Sequence, residues 1–226
     1  MPFKGHFITL EGGEGTGKST LIQSLSTELT RRGYDVITTR EPGGTTLGKT
    51  IRGWLLNQNQ NEKIFPEAEL LLFLADRAQH IHEVILPSLE IGKIVLCDRF
   101  NDSTIAYQGY ARGLGVEHVE KLCRLISGNA IPELTLLLSL SPAIGLERSK
   151  GVHKDQSPTG ELDRIESEHL NFHEKIHQGF LLLAKKDPFR IYTINAARSA
   201  AEVFKEAVRA IDELVLLPAK ISGEQS

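Results

Sequence analysis

The sequence predicts an α/β protein in three layers, in which helices cover both faces of a five-stranded parallel sheet. Five short apolar runs, each as long as a strand, alternate along the chain with helix-length segments. They cover residues 6–10, 35–39, 93–97, 134–140 and 190–194. Strands that alternate with helices form parallel sheets, whose ligands bind at the carboxyl ends of the strands. With 226 residues and no internal repeat, we expect one domain over residues 1–226.

Composition limits the classes of partner. The net charge of −3 and the isoelectric point of about 6.3 argue against general attraction to nucleic acid or to an anionic membrane. Cys97 and Cys123 form neither a disulfide framework nor a metal-ligand pattern, so we expect reduced, buried thiols. Since no apolar run is long enough to span a membrane and no signal peptide precedes the first strand, we expect a cytoplasmic protein.

The first strand leads into a glycine-rich loop. Residues Gly12 to Ser19 match the pattern G-x-x-x-x-G-K-[ST] in full, and Leu21, Leu25 and Leu29 follow at helical spacing. In such a P-loop, backbone N–H groups surround phosphate oxygens, the lysine reaches the β- and γ-phosphates, and the serine hydroxyl ligates Mg²⁺. The fold is therefore predicted to be that of a P-loop NTPase. The residues expected to bind ATP are Gly12, Gly13, Glu14, Gly15, Thr16, Gly17, Lys18, Ser19 and Thr20.

Three charged residues near this loop narrow the chemistry. Asp98 and Arg99 follow the third predicted strand, at the sheet edge that the loop occupies. Asp98 suits a Mg²⁺ shell with Ser19, and Arg99 suits a phosphoryl group; the alternative is that the two pair with each other or cap the next helix. Glu14 would repel a triphosphate unless it faces a substrate hydroxyl or a metal-bound water, the alternative being a solvated loop acid. ATPases, GTPases and small-molecule kinases all remain open at this point.

Further motifs, in order along the chain, resemble those of bacterial thymidylate kinases. They are TREPGG at residues 39–44 followed by Ile51 and Arg52, LFLADRAQH at 72–80, DRF at 98–100 leading to AYQG at 106–109, and GELDRIE at 160–166. The resemblance spans about residues 6–195. Several separate motifs in the right order are far more specific than the loop alone. The resemblance implies an ATP-dependent nucleoside monophosphate kinase that converts dTMP to dTDP.

The resemblance also implies a role for each matching residue of the acceptor site. Arg52 and Arg99 would hold the phosphate of the monophosphate, because guanidinium forks fit phosphate oxygens. Phe73 would stack on the pyrimidine and Arg77 would bond to a base carbonyl, although the periodicity of residues 70–74 alone favours a core position for Phe73. The residues that would close the base and sugar edges are Thr104, Tyr107 and Gln108.

The segment at about residues 145–166 resembles the lid of nucleoside monophosphate kinases. Because the P-loop carries no arginine, the resemblance implies a catalytic arginine in the lid, and Arg148 is the first candidate. The lid departs from the family pattern, since it is longer and has Lys150 and Lys154 where arginine is usual. Each lysine fits an ordinary surface loop equally well. A lysine supplies a point charge rather than a fork, so transition-state stabilisation would be weaker or shared with Arg164.

Two stretches have the composition of loops. Residues 150–160 are rich in Lys, Ser, Pro and Gly, and the tail from about residue 218 is expected to be loose.

The histidines do not suggest a metal site. His169, His173 and His177 lie at i, i+4 and i+8 of a predicted helix, but no other ligand accompanies them. We interpret them as one face of a solvated helix. His80 and His82 are likewise interpreted as helix-surface residues without a partner.

The resemblance thus implies a complete reaction. ATP is the donor, dTMP the acceptor and Mg²⁺ the cofactor; no nucleic-acid or membrane partner is expected, and the family implies a homodimer joined through helices. Three alternatives remain: a kinase for deoxyuridylate or cytidylate, a nucleotide-switched binding module, and a structural protein with a vestigial nucleotide site. The expected catalytic residues are Lys18, Arg99, Glu14 and Arg148, with Ser19 and Asp98 at the metal.

Overall fold

A five-stranded sheet forms the centre of the fold. The computed structural model describes residues 3–56, 63–150 and 163–216 with their side chains, and residues 151–156 as backbone. The strands are β1 (His6–Glu11), β2 (Val36–Arg40), β3 (Ile94–Asp98), β4 (Leu134–Ser139) and β5 (Ile191–Asn195). They lie in the order β2-β3-β1-β4-β5, and every pairing is parallel. The predicted sheet is confirmed, and each strand lies within one residue of its predicted bounds.

Helices connect the strands and cover both faces of the sheet. Helices α1 and α9 pack on one face around Ile8, Leu10 and Leu25, and α3, α6 and α8 contribute to the core on the other. The three-layer α/β/α prediction is therefore confirmed. Segments of π-helix continue α3, α5 and α9 at Ile81–Ile85, Ile105–Ala111 and Asp212–Leu216. The helices in the described part of the chain are α1 (Lys18–Arg31), α2 (Thr46–Leu56), α3 (Pro66–His80), α4 (Leu86–Glu90), α5 (Asn101–Thr104), α6 (Val116–Ser127), α7 (Pro142–Gln156), α8 (Leu170–Lys186) and α9 (Ala200–Ile211).

The register of the sheet brings the ends of three strands together. Leu10 of β1 and Arg40 of β2 both lie opposite Asp98 of β3. Because the strands run in the same direction, the residues that follow them emerge at one edge. The P-loop after β1, the cis peptide bond between Glu41 and Pro42 after β2, and the turn after β3 therefore meet there.

Helix α7 corrects one expectation. The sequence predicts a loop over residues 150–160, but α7 continues through Gln156, and residues 157–160 lie outside the described residues. Pro142 begins the helix, where its fixed φ suits the first turn, and no further proline occurs before Pro158. The tail from about residue 218 also lies outside the described residues. Across the ranges given above, no helix has both the length and the apolar character needed to cross a bilayer.

Both cysteines lie in the interior. Cys97 ends the buried part of β3, and Cys123 lies on the inner face of α6. Each is a buried free thiol, as the sequence predicts, and burial raises the pKa of both thiols.

Candidate active site

A cavity of about 800 Å³ opens at the carboxyl edge of the sheet. Its volume is typical of small-molecule sites. The wall combines the P-loop, the ends of β2 and β3, helices α2, α3 and α5, and the region predicted to be the lid. Gly12 and Gly13 are not part of this wall. The predicted site residues that line the cavity are Glu14, Gly15, Thr16, Gly17, Lys18, Ser19, Thr20, Arg52, Phe73, Arg77, Asp98, Arg99, Thr104, Tyr107, Gln108 and Arg148.

Close contacts require two glycines of the P-loop. Gly12 has a φ of 141°, and a Cβ atom there would lie 2.5 Å from the carbonyl oxygen of Leu138 on β4. Gly15 has a φ of 63°, and its Cβ would lie 1.9 Å from the carbonyl oxygen of Gly145 in α7. A side chain at either position would force the backbones apart. The loop is therefore packed directly against β4 and against the helix that begins the lid.

Lys18 closes the loop on itself. Its Nζ atom donates to the carbonyl oxygens of Gly12 at 3.0 Å and Gly13 at 2.9 Å, and the side chain is buried. Burial and the neighbouring Arg99 lower the pKa of Lys18, while nearby carboxylates oppose that change. These carbonyl contacts are bonds that an entering anion can replace, because a phosphate oxygen is a stronger partner for an ammonium group.

Ser19 and Asp98 come together as the sequence predicts. The Ser19 hydroxyl donates to Oδ2 of Asp98 at 3.4 Å. The other Asp98 oxygen, Oδ1, is buried and has no hydrogen-bond partner among the described residues. A hydroxyl beside a carboxylate with an unused oxygen fits a magnesium ion, whose ligands are oxygens. Within the described ranges no group of three or more His, Cys, Asp or Glu side chains is arranged to hold a metal, so phosphate and water would complete the shell.

Arg99 forms its ion pair with Glu14 and not with its neighbour Asp98. Its Nη2 atom donates to Oε1 of Glu14 at 2.6 Å, and the Tyr107 hydroxyl donates to the same oxygen at 2.8 Å. The Arg99 guanidinium also lies over the Tyr107 ring, 5.1 Å from its centroid. Burial raises the pKa of Glu14, but the charge of Arg99 and that of the P-loop lysine outweigh it and lower the pKa to about 2. Glu14 is an ionised, bonded carboxylate, so the alternative of a solvated loop acid is wrong.

Glu11, which the sequence analysis missed, holds the turn that carries Arg99. Arg99 has a φ of 70°, a left-handed conformation that is costly for any residue with a Cβ atom. Fully buried Glu11 accepts bonds from the backbone N–H of Phe100 at 2.8 Å and from the Ser103 hydroxyl at 2.5 Å. Arg99 in turn donates to Ser103 at 3.2 Å. Burial, and after it the charge of Asp102, raises the pKa of Glu11. An acidic residue that ends an apolar strand was the available signal.

Arg77 belongs to a buried network at the cavity wall. Its Nε atom donates to Oε2 of Glu41 at 2.8 Å, and its Nη2 atom donates to the Thr104 hydroxyl at 2.9 Å. The two ring nitrogens of His80 lie 2.8 Å from Oε1 of Glu41 and 2.6 Å from the Thr39 hydroxyl. His80 is fully buried, so its predicted place on the helix surface is wrong. It shares the inward face of α3 with Arg77, three residues earlier, and that face packs on the end of β2. His82, in contrast, is exposed.

The remaining predicted base contacts lie in the same cavity. Phe73 is half-buried, packs against the core beneath α3 and also lines the cavity, so a place in the core does not exclude the predicted contact with a base. Gln108 is buried, and its Nε2 atom donates to Oε1 of Glu69 at 2.8 Å. The structure therefore brings Phe73, Arg77, Thr104 and Gln108 to one site.

A third arginine lines the cavity together with Arg52 and Arg99, the two predicted to hold a phosphate. Arg52 is half-buried and donates to the carbonyl oxygen of Pro42 at 3.0 Å. Burial, and then the charge of Arg40, lowers the pKa of Arg52. Arg40 ends β2, is exposed and lines the cavity, and the sequence analysis did not single it out as a site residue. Arg40, Arg52 and Arg99 are three of the five arginines that line the cavity, and an anion would relieve the repulsion among them.

Helix α7 presents Arg148 to the cavity. Its Nη1 atom donates to the carbonyl oxygen of Ala196, after β5, at 3.0 Å. The next residue, Ser149, is buried and donates to Oε1 of Glu166 at 3.0 Å. The two sides of the predicted lid are therefore joined near Arg148.

The other predicted lid cations do not line the cavity in the described part of the chain. Arg164 donates from Nε to the carbonyl oxygen of Leu55 at 2.8 Å and from Nη2 to Glu69. It lies outside the cavity wall, so the structure does not bring it to the predicted site of transfer. Lys150 is exposed and is also outside the wall. The side chain of Lys154 lies outside the described residues.

The histidines of α8 differ in exposure. His169 is exposed and His177 is half-buried, but His173 is buried and its Nε2 atom has no hydrogen-bond partner among the described residues. The prediction of a solvated face is therefore wrong at His173, because this part of α8 faces Glu14 of the P-loop and Leu146 of α7. Burial lowers the pKa of His173.

Known proteins share both the sequence and the fold. A family model described as thymidylate kinase matches residues 10–207. The thymidylate kinase of Protochlamydia amoebophila (strain UWE25) is 53% identical over 211 residues, which cover 93% of this chain and 94% of that protein. That of Nitratidesulfovibrio vulgaris (strain DSM 19637 / Miyazaki F) is 44% identical over 214 residues, covering 95% and 99%.

A solved structure agrees with these relatives. The crystal structure of thymidylate kinase from Ehrlichia chaffeensis superposes with a TM-score of 0.72 at 32% identity, over 92% of this chain and 98% of that one. The matches cover nearly the full length on both sides. With the P-loop, the arginine-lined cavity and the parallel sheet described above, they show that the chain belongs to the thymidylate kinase family.

Proposed function

We propose that this protein transfers the γ-phosphoryl group of Mg·ATP to dTMP, which gives dTDP and ADP for dTTP synthesis. Membership of the thymidylate kinase family makes the chain an ATP-dependent nucleotide kinase. The observation that carries the proposal is that one cavity is lined by P-loop residues 14–20, by aromatic rings, by five arginines and by buried polar groups. A nucleoside monophosphate needs that combination: cations for its phosphate, an aromatic face and hydrogen-bonding groups for its base.

The donor end uses the P-loop. Its backbone N–H groups and the start of α1 would surround the β- and γ-phosphates of ATP. Lys18 would exchange its bonds to the carbonyls of Gly12 and Gly13 for bonds to phosphate oxygens. The residues proposed to bind ATP are Gly12, Gly13, Glu14, Gly15, Thr16, Gly17, Lys18, Ser19 and Thr20.

The acceptor end uses residues from α2, α3 and the segment after β3. Arg52 and Arg99 would hold the phosphate of dTMP, because guanidinium groups bind phosphate oxygens in pairs. Phe73 would stack on the thymine, and Arg77 would donate to one of its carbonyl oxygens. The residues proposed for the base and sugar edges are Thr104, Tyr107 and Gln108.

Transfer itself requires positioning and charge more than covalent chemistry. Arg99 would neutralise charge on the phosphoryl group between donor and acceptor, and the bond to Glu14 supports this role because it fixes the guanidinium beside the P-loop. Glu14 stays ionised at neutral pH, so it can accept a hydrogen bond from a sugar hydroxyl but cannot donate one. A carboxylate in the loop would thereby favour an acceptor that carries a 3′-hydroxyl.

Two residues would hold the metal ion that accompanies ATP. Ser19 and Asp98 supply a hydroxyl and a carboxylate with an unused buried oxygen. Mg²⁺ supplies charge neutralisation on the β- and γ-phosphates when it is bound. We further propose that Arg148 is the lid cation, since it donates to a neutral carbonyl, that of Ala196, and a phosphate oxygen can replace this partner.

The protein is also proposed to be a cytoplasmic homodimer, each chain folding as one kinase domain. Large apolar side chains are exposed on α2, α3 and α6: Trp54 is 51%, Leu71 62% and Leu125 76% exposed. Because α3 packs against both α2 and α6, the three helices form one surface, and apolar groups on such a surface support association. Leu125→Glu should shift the mass measured by light scattering from two chains to one; a monomeric wild type would contradict the dimer.

A comparison of acceptors tests the proposed activity. The purified protein with Mg·ATP is supplied in turn with dTMP, dUMP, dCMP and dGMP, and ADP formation is followed. We expect kcat/KM to be highest for dTMP. A higher value for another monophosphate would keep the kinase and remove the base roles of Phe73 and Arg77. ATP consumption without any phosphorylated acceptor would instead favour a nucleotide-switched module.

A further inference from the structure

The buried carboxylate of Glu69 links Gln108, in the part of the cavity wall proposed to bind the acceptor, to Arg164, in the segment that ends the predicted lid. Glu69 lies on α3, is 1% exposed and does not itself line the cavity. Three side chains donate to it: Gln108 in the segment Ile105–Ala111, Arg112 directly after that segment, and Arg164, which is remote in the chain. Burial raises the pKa of Glu69, but the hydrogen bonds and charge of Arg112, with the bonds from Gln108 and Arg164, lower it below its ordinary value.

The hydrogen bond from Gln108 connects Glu69 to the part of the cavity wall proposed to bind the acceptor. Gln108 lines the cavity and donates from Nε2 to Oε1 of Glu69 at 2.8 Å. An amide can rotate by half a turn and exchange its oxygen for its nitrogen. An ionised carboxylate only accepts hydrogen bonds, so Glu69 requires the nitrogen of Gln108 on its own side and leaves the amide oxygen for a ligand.

The second link reaches the end of the lid. Arg164 donates from Nη2 to Oε2 of Glu69 at 2.5 Å, and its Nε and backbone N–H donate to the carbonyl oxygens of Leu55 and Leu56 on α2 at 2.8 and 3.0 Å. Its side chain thus points away from the cavity, whereas its chain neighbours Asp163 and Ile165 line it. The bond to Glu69 therefore helps to fix where this segment meets the cavity.

We propose that Glu69 is a positioning residue that couples recognition of the acceptor base to the placement of residues 163–166. Gln108 bonds to one oxygen of the Glu69 carboxylate and Arg164 to the other. Because the carboxylate is one planar group, a displacement of either side chain that turns it also moves the oxygen to which the other side chain is bonded. The inference rests on the proposed function, because Gln108 must face the acceptor base. It assigns to Glu69 an effect on the use of dTMP that an ordinary buried ion cluster would not have.

Arg112 provides the matched comparison. It contacts both Glu69 oxygens, at 3.1 and 3.2 Å, and also bonds to Glu168 and lies over the Phe172 ring. It does not line the cavity, although it directly follows the segment Ile105–Ala111 that carries Gln108. A purely structural cluster would respond similarly to the loss of Arg112 and to the loss of the Glu69 charge.

The first experiment compares Glu69→Gln with Arg112→Ala in the full-length protein, using steady-state kinetics with Mg·ATP and dTMP. We expect Glu69→Gln to raise KM for dTMP about tenfold while KM for ATP changes less than about twofold, the range for one buried charged hydrogen bond. Arg112→Ala should lower the melting temperature but leave both KM values within about twofold. Equal changes of the two KM values in Glu69→Gln, or the same dTMP effect in Arg112→Ala, would overturn the coupling.

The second experiment keeps Glu69 and does not depend on the folding of Glu69→Gln. KM for dTMP is measured for Gln108→Ala, Arg164→Ala and the double variant. We expect the double variant to be impaired less than the product of the two single effects, by about threefold or more. Independent, multiplying effects would refute the inference while leaving the kinase intact. A wild-type protein that does not phosphorylate dTMP would refute the proposed function itself, together with the coupling that rests on it.

Discussion

Arg99 donates a hydrogen bond to Glu14 across 2.6 Å, and this contact joins the turn after β3 to the P-loop. Because Arg99 has a φ of 70°, its backbone carries a conformational cost of about 1–2 kcal/mol. The bond to Glu14 and the support of Glu11 beneath the turn offset that cost. Contacts within the chain therefore hold the guanidinium beside the loop, and a group held in this way would need little reorganisation in the proposed transfer step.

Replacement of Arg99 by lysine tests whether the shape of this group matters. Lysine keeps the positive charge but has no fork, so it cannot contact Glu14, Gly12 and a phosphate together. We expect kcat with dTMP to fall about 100-fold, with a melting temperature close to that of the wild type. Steady-state kinetics and thermal melts measure both, and the exposed Arg198→Lys serves as the control. A kcat within twofold of the wild type would remove Arg99 from the transfer step.

The roles proposed for Ser19 and Asp98 predict how activity depends on the Mg²⁺ concentration. Asp98→Asn removes the charge next to Ser19, so the Mg²⁺ concentration that gives half-maximal activity should rise about tenfold or more. Ser19→Thr keeps a hydroxyl and should change this half-maximal Mg²⁺ concentration less than twofold, whereas Ser19→Ala should raise it. Titration of Mg²⁺ at fixed ATP measures this value, and chelation should abolish turnover of the wild type. An unchanged magnesium requirement in Asp98→Asn would contradict the assignment.

The role proposed for Arg77 predicts that a substitution there changes KM for dTMP more than KM for ATP. Arg77→Lys keeps a cation beside buried Glu41, which avoids leaving that carboxylate unpaired, but loses the second contact to Thr104. We expect KM for dTMP to rise about tenfold and KM for ATP to change less than twofold. Initial rates with each substrate varied in turn measure both constants. A parallel rise of the two would argue against a contact between Arg77 and the base.

Asp76 predicts how stability depends on pH. Burial, and after it the charge of Glu41, raises the pKa of Asp76 from 3.8 to about 6. The folded state therefore favours the protonated form, and the stabilisation is complete below about pH 4 and lost as the pH rises through 6. Asp76→Asn is neutral throughout. Its free energy of unfolding, relative to that of the wild type, should rise by about 2 kcal/mol between pH 4 and pH 7, since one pKa unit is about 1.4 kcal/mol and an unfolded-state carboxyl with a pKa of 3.8 is already largely ionised at pH 4.

Denaturant melts of both proteins across this pH range provide the measurement. The Oδ1 atom of Asp76 accepts a bond from the Gly43 N–H at 3.0 Å, which the asparagine oxygen can keep, so the comparison isolates the titrating charge. A difference in unfolding free energy that stays constant with pH would show that Asp76 titrates normally.

The fold and much of the site could be predicted because local patterns determine them. Five strand-length apolar runs and one loop motif are sufficient for a parallel sheet with its ligand edge, and that edge brings Ser19 to Asp98 although they are 79 positions apart. The same reasoning predicted that Arg99 would meet the P-loop. In a parallel sheet, a residue that directly follows one strand lies close to the residues that follow the neighbouring strands.

Buried charges could not be predicted in this way. Glu41, Glu69 and His80 have the local sequence pattern of solvated helix or loop residues, because their partners are remote in the chain; Glu41 and His80 are 39 positions apart. Glu11 meets Ser103 across 92 positions. Ion pairs and hydrogen bonds offset the free-energy cost of burying these charges. Their partners are brought together by the tertiary structure, which the local sequence pattern does not contain. The helical course of residues 150–156 was missed for a different reason, since residues 150–160 have the composition of a loop.

The most direct test of the proposed activity follows the phosphoryl group itself. ATP labelled at the γ-phosphate is mixed with Mg²⁺ and dTMP, and the products are separated by chromatography, with Lys18→Ala as the matched blank and Lys175→Ala, at an exposed position, as the control. The label should appear in the β-phosphate of dTDP with wild type and Lys175→Ala, and Lys18→Ala should be folded but inactive. Label released only as inorganic phosphate, or undiminished transfer by Lys18→Ala, would contradict the proposal that this cavity phosphorylates dTMP.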